Sequence, residues 1–231
     1  MVEELISGAQ ALGLELSDAQ IAAFSRYCDL LIEKNAVMNL TAITAPAEIA
    51  RLHFLDSLAL LRLADFREKR VLDVGCGAGF PGVPLLLGEP SVRLSLLDST
   101  AKRMQWLSDE LLPALGLPAE CLTGRAEELI EGRREAFDLC VSRAVARLNV
   151  LCELCLPYVR VGGSFLAMKG PAAADELAEA EKAIRILGGR LREIAEYPLG
   201  DAVHRVVVID KTRPTPAKYP RRYAKIKQQP L

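Results

Sequence analysis

The chain has 231 residues, of which 51% are hydrophobic and 26% are charged, and its formal net charge is −1. This is enough to bury a core in one domain with an extension, but not enough for two full domains. No run of about 18 apolar residues could span a bilayer, and the acidic start MVEELISG is unlike a signal peptide, so we expect a cytoplasmic protein.

The first 65 residues are predicted to be helical. Ser17-x-x-Gln20 forms a capping box before an amphipathic run, and Thr44 with Pro46 is predicted to open a second helical stretch. Residues 1–65 should therefore form a helical extension that precedes the first strand.

Residues 66–210 alternate between strand-like and helix-like segments. Strands are predicted at 70–74, 92–97, 119–123, 137–142 and 163–168, then at 190–197 and 204–210. Strands separated by helices pair in parallel, whereas the last two, joined by a loop with Pro198 and Gly200, should form an antiparallel hairpin. The predicted fold is α/β and Rossmann-like, a mostly parallel sheet with a C-terminal hairpin, which is the shape of class I methyltransferases.

The stretch VLDVGCGAGFPGVPL at 71–85 carries the clearest site signal. Its glycines Gly75, Gly77 and Gly79 predict a strand that turns into a helix around a ligand held against the main chain. The spacing also fits a dinucleotide loop, but Asp73 would repel phosphate and the nearby prolines remove backbone donors. A cationic ligand fits better, and we expect Asp73, Gly75, Gly77 and Gly79 to contact it. The pattern resembles the glycine motif of class I methyltransferases, which bind the sulfonium of S-adenosylmethionine.

Asp98, at the end of the second strand, is the second signal. A carboxylate there can accept hydrogen bonds from both hydroxyls of an adenosine ribose, although enzymes that bind NAD place an acid at the same point. With Ser99 and Thr100, Asp98 could also cap the next helix, which is compatible with the same role.

Two further turns complete the predicted site. The turn that contains Ala126 and Glu127 should lie beside the adenine, and Ser142-Arg143 should face the methyl acceptor. The chain lacks both the Asn- or Asp-Pro-Pro-aromatic segment of amino-methylating enzymes and a cysteine nucleophile at this point. Guanine nitrogen-7 has a free lone pair and no proton, so it needs no general base, and its edge is one that arginine binds.

Short segments along the whole chain match one known family. They are Asn39-Leu40-Thr41, His53-Phe54-Leu55-Asp56-Ser57-Leu58, Asp73-Val74-Gly75, Gly79-Phe80-Pro81-Gly82, Leu97-Asp98-Ser99, Ser142-Arg143-Ala144-Val145-Ala146, Met168-Lys169-Gly170 and Lys218-Tyr219-Pro220-Arg221. Together they resemble the 16S rRNA guanine-N7 methyltransferase family RsmG, formerly glucose-inhibited division protein B. The resemblance implies methylation of a guanine in the decoding-region loop of 16S rRNA or of the small ribosomal subunit.

The same resemblance implies contacts to S-adenosylmethionine. The residues concerned are Gly75, Phe80, Asp98, Ser99, Thr100, Ala126, Glu127 and Arg143. It implies no settled residue for proton transfer. We expect a monomer. We also expect no bound metal, because the Cys152-x-x-Cys155 pair has no second pair or nearby histidine and is better explained as core packing.

Residues 211–231 form a basic tail. They contain seven basic residues and no acids, which leaves 22 basic against 30 acidic residues in the rest of the chain. The basic residues are Lys211, Arg213, Lys218, Arg221, Arg222, Lys225 and Lys227. Such a tail, with Tyr219 and Tyr223 between the charges, can bind RNA, or it can fold back on the acidic body. Its four prolines predict that no regular helix forms there.

Other residues stay open at this point. The candidates for RNA binding are Lys169, Lys218, Arg221, Arg222, Lys225 and Lys227, although Lys169 could equally be a solvated strand end. His53 is expected to be structural, and Asp56 could pair with it or cap the next turn. Two rival functions are a nicotinamide oxidoreductase built on the same glycines and a non-catalytic RNA-binding module.

Overall fold

The computed structural model describes residues 1–143, 145–199 and 202–231. Ala144, in the motif after the fourth strand, and Gly200, in the predicted hairpin loop, lie outside the described residues. Within these ranges, no helix is both long and apolar enough to cross a membrane.

The N-terminal region is helical, as predicted. Helices α1 (Val2–Ala11) and α2 (Asp18–Met38) are followed by a continuous run of α3 (Pro46–Ile49), a π-helical segment (Ala50–Leu55), α4 (Asp56–Leu58) and a 3-10 turn (Ala59–Arg62). The capping box is confirmed, since the Ser17 hydroxyl accepts from the Gln20 N–H and the Gln20 side chain accepts from the Ser17 N–H. Thr44 does not cap α3. The N-cap residue of α3 is Ala45, which makes no side-chain hydrogen bond to the helix.

Seven strands form one sheet in the order β3-β2-β1-β4-β5-β7-β6. They are β1 (Arg70–Val74), β2 (Arg93–Asp98), β3 (Ala119–Thr123), β4 (Phe137–Arg143), β5 (Val159–Lys169), β6 (Gly189–Leu199) and β7 (Ala202–Lys211). The first five strands are parallel, and β7 is antiparallel to both β5 and β6. The predicted fold class is confirmed. The strand order reverses between β1 and β4, and ligands bind at such switch points on parallel sheets.

Helices cover both faces of the sheet. After the N-terminal helices come α5 (Gly82–Gly88), α6 (Ala101–Trp106), a π-helical segment (Leu107–Leu111), α7 (Leu112–Leu115), α8 (Leu148–Cys155), a 3-10 turn (Leu156–Tyr158), α9 (Ala173–Ile186) and α10 (Tyr223–Gln228). Adjacent strand residues such as Val71 and Leu72 point to opposite faces and belong to two separate cores. The N-terminal helices pack in the first core.

The second core contains α8 and part of the tail. Cys152 and Cys155 are fully buried in it, in agreement with their interpretation as packing residues. Tyr219 and Ile226 of the tail are buried in the same core. The tail also forms α10 between Pro220 and Pro230, so the prediction that its prolines prevent a helix was wrong. The prolines limit the helix to six residues instead, because all of them lie outside it.

Candidate functional site

A cavity of about 480 Å³ lies at the carboxyl ends of β1, β2, β3 and β4. Ligand pockets in proteins are typically about 300–1,000 Å³. Its lining includes residues just after each of the four strands, because parallel strands bring their carboxyl ends to one edge of the sheet. The predicted site residues that line it are Gly75, Gly77, Phe80, Asp98, Ser99, Thr100, Ala126, Glu127 and Arg143.

The glycine loop turns sharply at the end of β1. Gly75, Gly77 and Gly79 have φ values of +75°, +57° and +101°, in the left-handed region that side chains disfavour. A Cβ on Gly75 would lie 2.3 Å from a methyl carbon of Val145, whereas a Cβ on Gly77 would meet nothing within 4 Å. Gly77 therefore presents bare backbone to open space in the cavity wall. Gly79 packs against Tyr27 and Val83 and does not line the cavity.

Asp73 lies beneath the loop and not in the cavity wall. It is fully buried, and its Oδ2 accepts a hydrogen bond of 2.7 Å from the Gly82 N–H at the start of α5. Its Oδ1 has no hydrogen-bond partner among the described residues. Burial raises the pKa of this carboxyl to about 7. The prediction of a ligand contact is thus corrected: Asp73 joins β1 to α5, because a carboxylate enclosed by the loop can reach only the backbone around it.

Asp98 is at the cavity edge, as predicted. Its Oδ2 accepts from the Gly77 N–H at 3.0 Å and its Oδ1 accepts from the Thr100 N–H at 2.8 Å. The carboxylate therefore fixes the glycine loop against the start of α6. Each oxygen keeps a second lone pair, so the two contacts leave it able to accept from a ligand.

After β3, the cavity wall is formed by the predicted turn with Ala126 and Glu127 and by one residue of the tail. The Tyr158 hydroxyl donates to the carbonyl oxygen of Ala126 at 2.6 Å, and burial raises the pKa of the Glu127 carboxyl. Tyr223, the first residue of α10, also lines the cavity, and the Arg125 guanidinium lies 4.9 Å from its ring centroid. Sequence reasoning assigned Tyr223 to RNA stacking and missed this position.

Arg143, at the end of β4, is held in place by residues of the N-terminal helical region. It donates to the Leu52 carbonyl oxygen at 3.0 Å and lies 3.5 Å from Asp56, and its guanidinium is 4.9 Å from the Phe80 ring centroid. These contacts fix a cation beside the glycine loop. Tyr27 of α2 adds a second tie, because its hydroxyl donates to the Ala78 carbonyl oxygen at 2.6 Å.

His53 lines the same cavity and is neutral. Its ring stacks on Phe80 at 4.6 Å, Nδ1 donates to the Leu52 carbonyl oxygen at 3.1 Å, and Nε2 lies 2.8 Å from the Thr41 hydroxyl. Burial, with the charge of Arg143, lowers the pKa of His53 to about 4. The expected structural role agrees with these contacts, although the position in the cavity wall was missed.

Asp56 does not pair with His53. Its Oδ1 accepts from His204 Nδ1 at 2.8 Å and from the Tyr197 hydroxyl at 2.9 Å. His204 is on β7 and Tyr197 is on β6, so the hairpin brings both to the helical region. The sequence carried no signal for this group, because its members lie far apart in the chain.

The predicted RNA-binding residues fall into two groups. Lys169 has a side chain only 6% exposed, which pairs with Glu176 at 2.8 Å. Arg221 pairs with the fully buried Glu153 at 2.6 Å. These two cations already neutralise carboxylates of the body, and their contact with RNA stays a prediction. The remaining four are exposed: Lys218, Arg222, Lys225 and Lys227.

Comparison with known proteins decides the family. A family model described as rRNA small subunit methyltransferase G matches residues 20–201. Proteins named ribosomal RNA small subunit methyltransferase G from Alkaliphilus oremlandii and Pelotomaculum thermopropionicum are each 45% identical to this chain. The matches cover 98% and 100% of this chain and 97% and 99% of those proteins. The chain belongs to the rRNA small subunit methyltransferase G family.

Solved structures agree on the fold. TrmN from Thermus thermophilus is 25% identical with a TM-score of 0.55, over 68% of this chain and 48% of that one. The PH0226 protein from Pyrococcus horikoshii is 16% identical with a TM-score of 0.56, over 78% of this chain and 99% of that one. As a member of the rRNA small subunit methyltransferase G family, the chain is a methyltransferase whose cofactor is S-adenosylmethionine. The predicted family is confirmed, and the comparisons give no support to an oxidoreductase or an idle RNA-binding module.

Proposed function

We propose that this protein transfers a methyl group from S-adenosylmethionine to nitrogen-7 of one guanine in 16S rRNA, within the decoding-region loop. The observation that carries the proposal is a pair of adjoining cavities. The first contains the glycine loop and Asp98, and a second of about 500 Å³ lies at the ends of β4 and β5. Arg143 and Val145 line both, so a cofactor in one cavity and a base in the other would meet at a shared wall.

The residues of the first cavity fit the cofactor. Gly77 offers backbone with open space where a side chain would stand, which suits a ligand lying against the main chain. Asp98 would accept from the ribose hydroxyls, and Ser99 and Thr100 follow it along the same wall. Ala126 and Glu127 would lie at the adenine, and we add Tyr223 as a ring that covers it.

For this reaction the protein mainly has to position the cofactor and the guanine relative to each other. When bound, S-adenosylmethionine supplies an electrophilic methyl group on a cationic sulfur. Guanine nitrogen-7 has an in-plane lone pair that can form the new bond, and no proton leaves it, so a general base is unnecessary. His53 stays neutral at physiological pH because its pKa is about 4, and with Phe80 it forms a wall that excludes water. Arg143 would position the acceptor or the cofactor.

RNA would be held by the exposed part of the basic tail. Lys218, Arg222, Lys225 and Lys227 are exposed. Two of them, Lys225 and Lys227, lie on α10, and Arg222 caps this helix next to Tyr223, which lines the first cavity. Lysine and arginine at an RNA surface bind phosphates and release counterions. The tail would thus anchor rRNA near the mouth of the site with four charges, fewer than its composition suggested.

The test is methyl transfer from tritiated cofactor to small-subunit RNA, offered as naked 16S rRNA and as the assembled subunit. Borohydride followed by aniline cleaves RNA at 7-methylguanosine and should map the product to one guanine. Asp98→Ala should weaken S-adenosylhomocysteine binding by about 2 to 4 kcal/mol, measured by calorimetry, because it removes a charged acceptor. Methyl transfer should fall with it.

Glu181→Ala is the matched control. Glu181 is an exposed carboxylate on α9, away from both cavities, so its loss should change neither binding nor transfer. Label on an RNA nitrogen other than guanine nitrogen-7 would overturn the proposed reaction. Unchanged affinity in a folded Asp98→Ala protein would overturn the placement of the cofactor.

A further inference from the structure

The second cavity contains a polar cluster that the proposed function has not used. Its lining includes Asp56, Tyr197 and His204 together with Arg143, which is shared with the cofactor cavity. Asp56 receives hydrogen bonds from His204 Nδ1 at 2.8 Å and from the Tyr197 hydroxyl at 2.9 Å, and it lies 3.5 Å from Arg143. The carboxylate is thus held by three elements of the fold, and in turn it orients the imidazole.

The orientation leaves one edge of the imidazole for a ligand. Nδ1 is paired with Asp56, and Nε2, on the opposite edge of the ring, makes no hydrogen bond to another of the described residues. The His204 side chain is 24% exposed, at the lining of the second cavity. A buried carboxylate therefore pairs with a partly exposed histidine that lines the cavity where an acceptor base would lie.

The protonation of this histidine decides what Nε2 can do. With Nδ1–H donating to Asp56, the neutral ring presents a lone pair at Nε2, and only the imidazolium presents an N–H. The hydrogen bond to Asp56 raises the pKa of His204, which favours the imidazolium.

Other charged groups line the same cavity. Asp56 raises the pKa of His204 and Arg143 lowers it. The remaining charged side chains of the lining are Arg147, Lys169, Glu176 and Arg205. Three of these are already paired with carboxylates, Arg147 with Glu179, Lys169 with Glu176 and Arg205 with Glu196. Asp56 is therefore the group that sets the charge of His204.

The Hoogsteen edges of the two purines differ where such a donor would act. Guanine presents an acceptor, O6, beside nitrogen-7, whereas adenine presents a donor, its N6 amino group. A donor held next to nitrogen-7 would pair with guanine and be left unpaired against adenine. A site built to hydrogen-bond one group rejects the analogue that lacks it, because a buried polar group then loses its partner.

We propose that His204 selects the acceptor base, its imidazolium Nε2–H donating to guanine O6 while nitrogen-7 stays free to take the methyl group. This inference rests on the proposed function, since it assigns a contact within that reaction. Asp56 and Tyr197 are positioning residues that act through His204. An adenine at the same place would set its amino group against the imidazolium N–H.

The test replaces the target base in the RNA. 16S rRNA is ligated from fragments with guanine, inosine or 2-aminopurine at the mapped position, and kcat/KM for methyl transfer is measured for the wild type and His204→Ala. Inosine keeps O6 and 2-aminopurine lacks it. The preference of the wild type for guanine over 2-aminopurine should exceed that of His204→Ala by about 10- to 100-fold. The ratio of guanine to inosine should be the same for both proteins.

The comparison of ratios removes the intrinsic difference in reactivity between the bases. Glu181→Ala is the matched control, because Glu181 is an exposed carboxylate on α9 that lines neither cavity, so the preference should persist. Equal preferences for guanine over 2-aminopurine in the wild type and a folded His204→Ala protein would overturn the assignment. Calorimetry with S-adenosylhomocysteine checks that the cofactor site is intact in each variant.

A second measurement covers the case in which His204→Ala does not fold. The preference of the wild type for guanine over 2-aminopurine should fall as the pH rises through the raised pKa of His204, whereas that of His204→Gln should not change with pH. A preference that does not change with pH in the wild type would overturn the proposal. A wild type that methylates no guanine would instead contradict the proposed function itself, so the two failures are distinct.

Discussion

The glycine loop and the basic tail were both prominent in the sequence, but the loop lies where its sequence predicts, whereas part of the tail is buried against the body. In the loop, Gly75 and Gly77 line the predicted cavity and Asp98 meets them from the next strand. In the tail, Arg221 neutralises a buried carboxylate of the body, and only part of the charge remains exposed.

The difference shows which features of a sequence determine function locally. A glycine turn depends on backbone conformation, which neighbouring residues decide, so its spacing predicts its shape. The role of a charged side chain depends on which charges pack against it, and those lie elsewhere in the chain. The tail folds back on the body through some residues, which is one of the two alternatives left open by its composition, and it leaves others exposed. RNA binding by the exposed residues stays a prediction.

The largest expected effect tests the buried half of the tail. Arg221→Ala leaves Glu153 fully buried without its charged partner, and removing one member of a buried ion pair typically costs about 3 to 5 kcal/mol. Urea unfolding should show a loss of that size in the free energy of unfolding.

Arg222→Ala is the control for this prediction. Arg222 is the next residue and is exposed, so its loss should leave the free energy of unfolding unchanged. It should instead lower the slope of log RNA affinity against log salt by about 0.7, the contribution of one phosphate contact. Equal destabilisation by both variants would remove the distinction between the two halves of the tail.

The next effect tests the glycine loop. Gly77→Val and Gly116→Val place a branched side chain at φ values of +57° and +63°, each with nothing within 4 Å of the new Cβ. Both should lose roughly 1 to 2 kcal/mol of stability from backbone strain. Only Gly77 lines the cofactor cavity, so only Gly77→Val should lose S-adenosylhomocysteine affinity, by roughly 100-fold or more.

Calorimetry on the two folded variants makes the comparison direct. Similar affinities in both would mean that the cavity at the glycine loop is not the cofactor site. Strain alone would lower stability in both and leave binding intact.

The smallest net effect in the wild type concerns His53 and Asp73, two buried groups near the loop whose opposite pH dependences partly cancel. His53 binds a proton at about pH 4 in the folded state and at about 6.5 when unfolded, so stability falls as the pH drops from 6.5 to 4. Asp73 binds its proton at about pH 7 when folded and at about 3.8 when unfolded, so stability rises as the pH drops through this range. Between pH 6.5 and 4, the contributions of His53 and Asp73 to the free energy of unfolding therefore change in opposite directions.

Single variants should separate the two slopes. In His53→Asn only the pH dependence from Asp73 remains. Between pH 6.5 and 4 the free energy of unfolding of this variant should therefore increase by up to about 3 kcal/mol relative to that of the wild type. Asp73→Asn, which imitates the protonated carboxyl, should make the protein more sensitive to acid than the wild type. Chemical unfolding at several pH values measures both, and parallel profiles for the three proteins would contradict the assignment.

The sequence by itself determined the family, the α/β sheet with its C-terminal hairpin, and many of the residues that line the first cavity. These rest on local patterns: strand periodicity, the turn at Gly75 and Gly77, and a carboxylate at the end of β2 in Asp98. Each is set by residues close together in the chain, and parallel pairing then brings the strand ends to one edge.

Only the tertiary structure decided the partners of the charged and aromatic side chains. It buried Asp73 beneath the loop, paired Arg221 with Glu153, and joined Asp56 to His204 across the helical region and the hairpin. Tyr223 reached the cofactor cavity from the end of the chain in the same way. Such contacts form between residues remote in sequence, and their strength depends on how far packing removes each group from water, which no local pattern encodes.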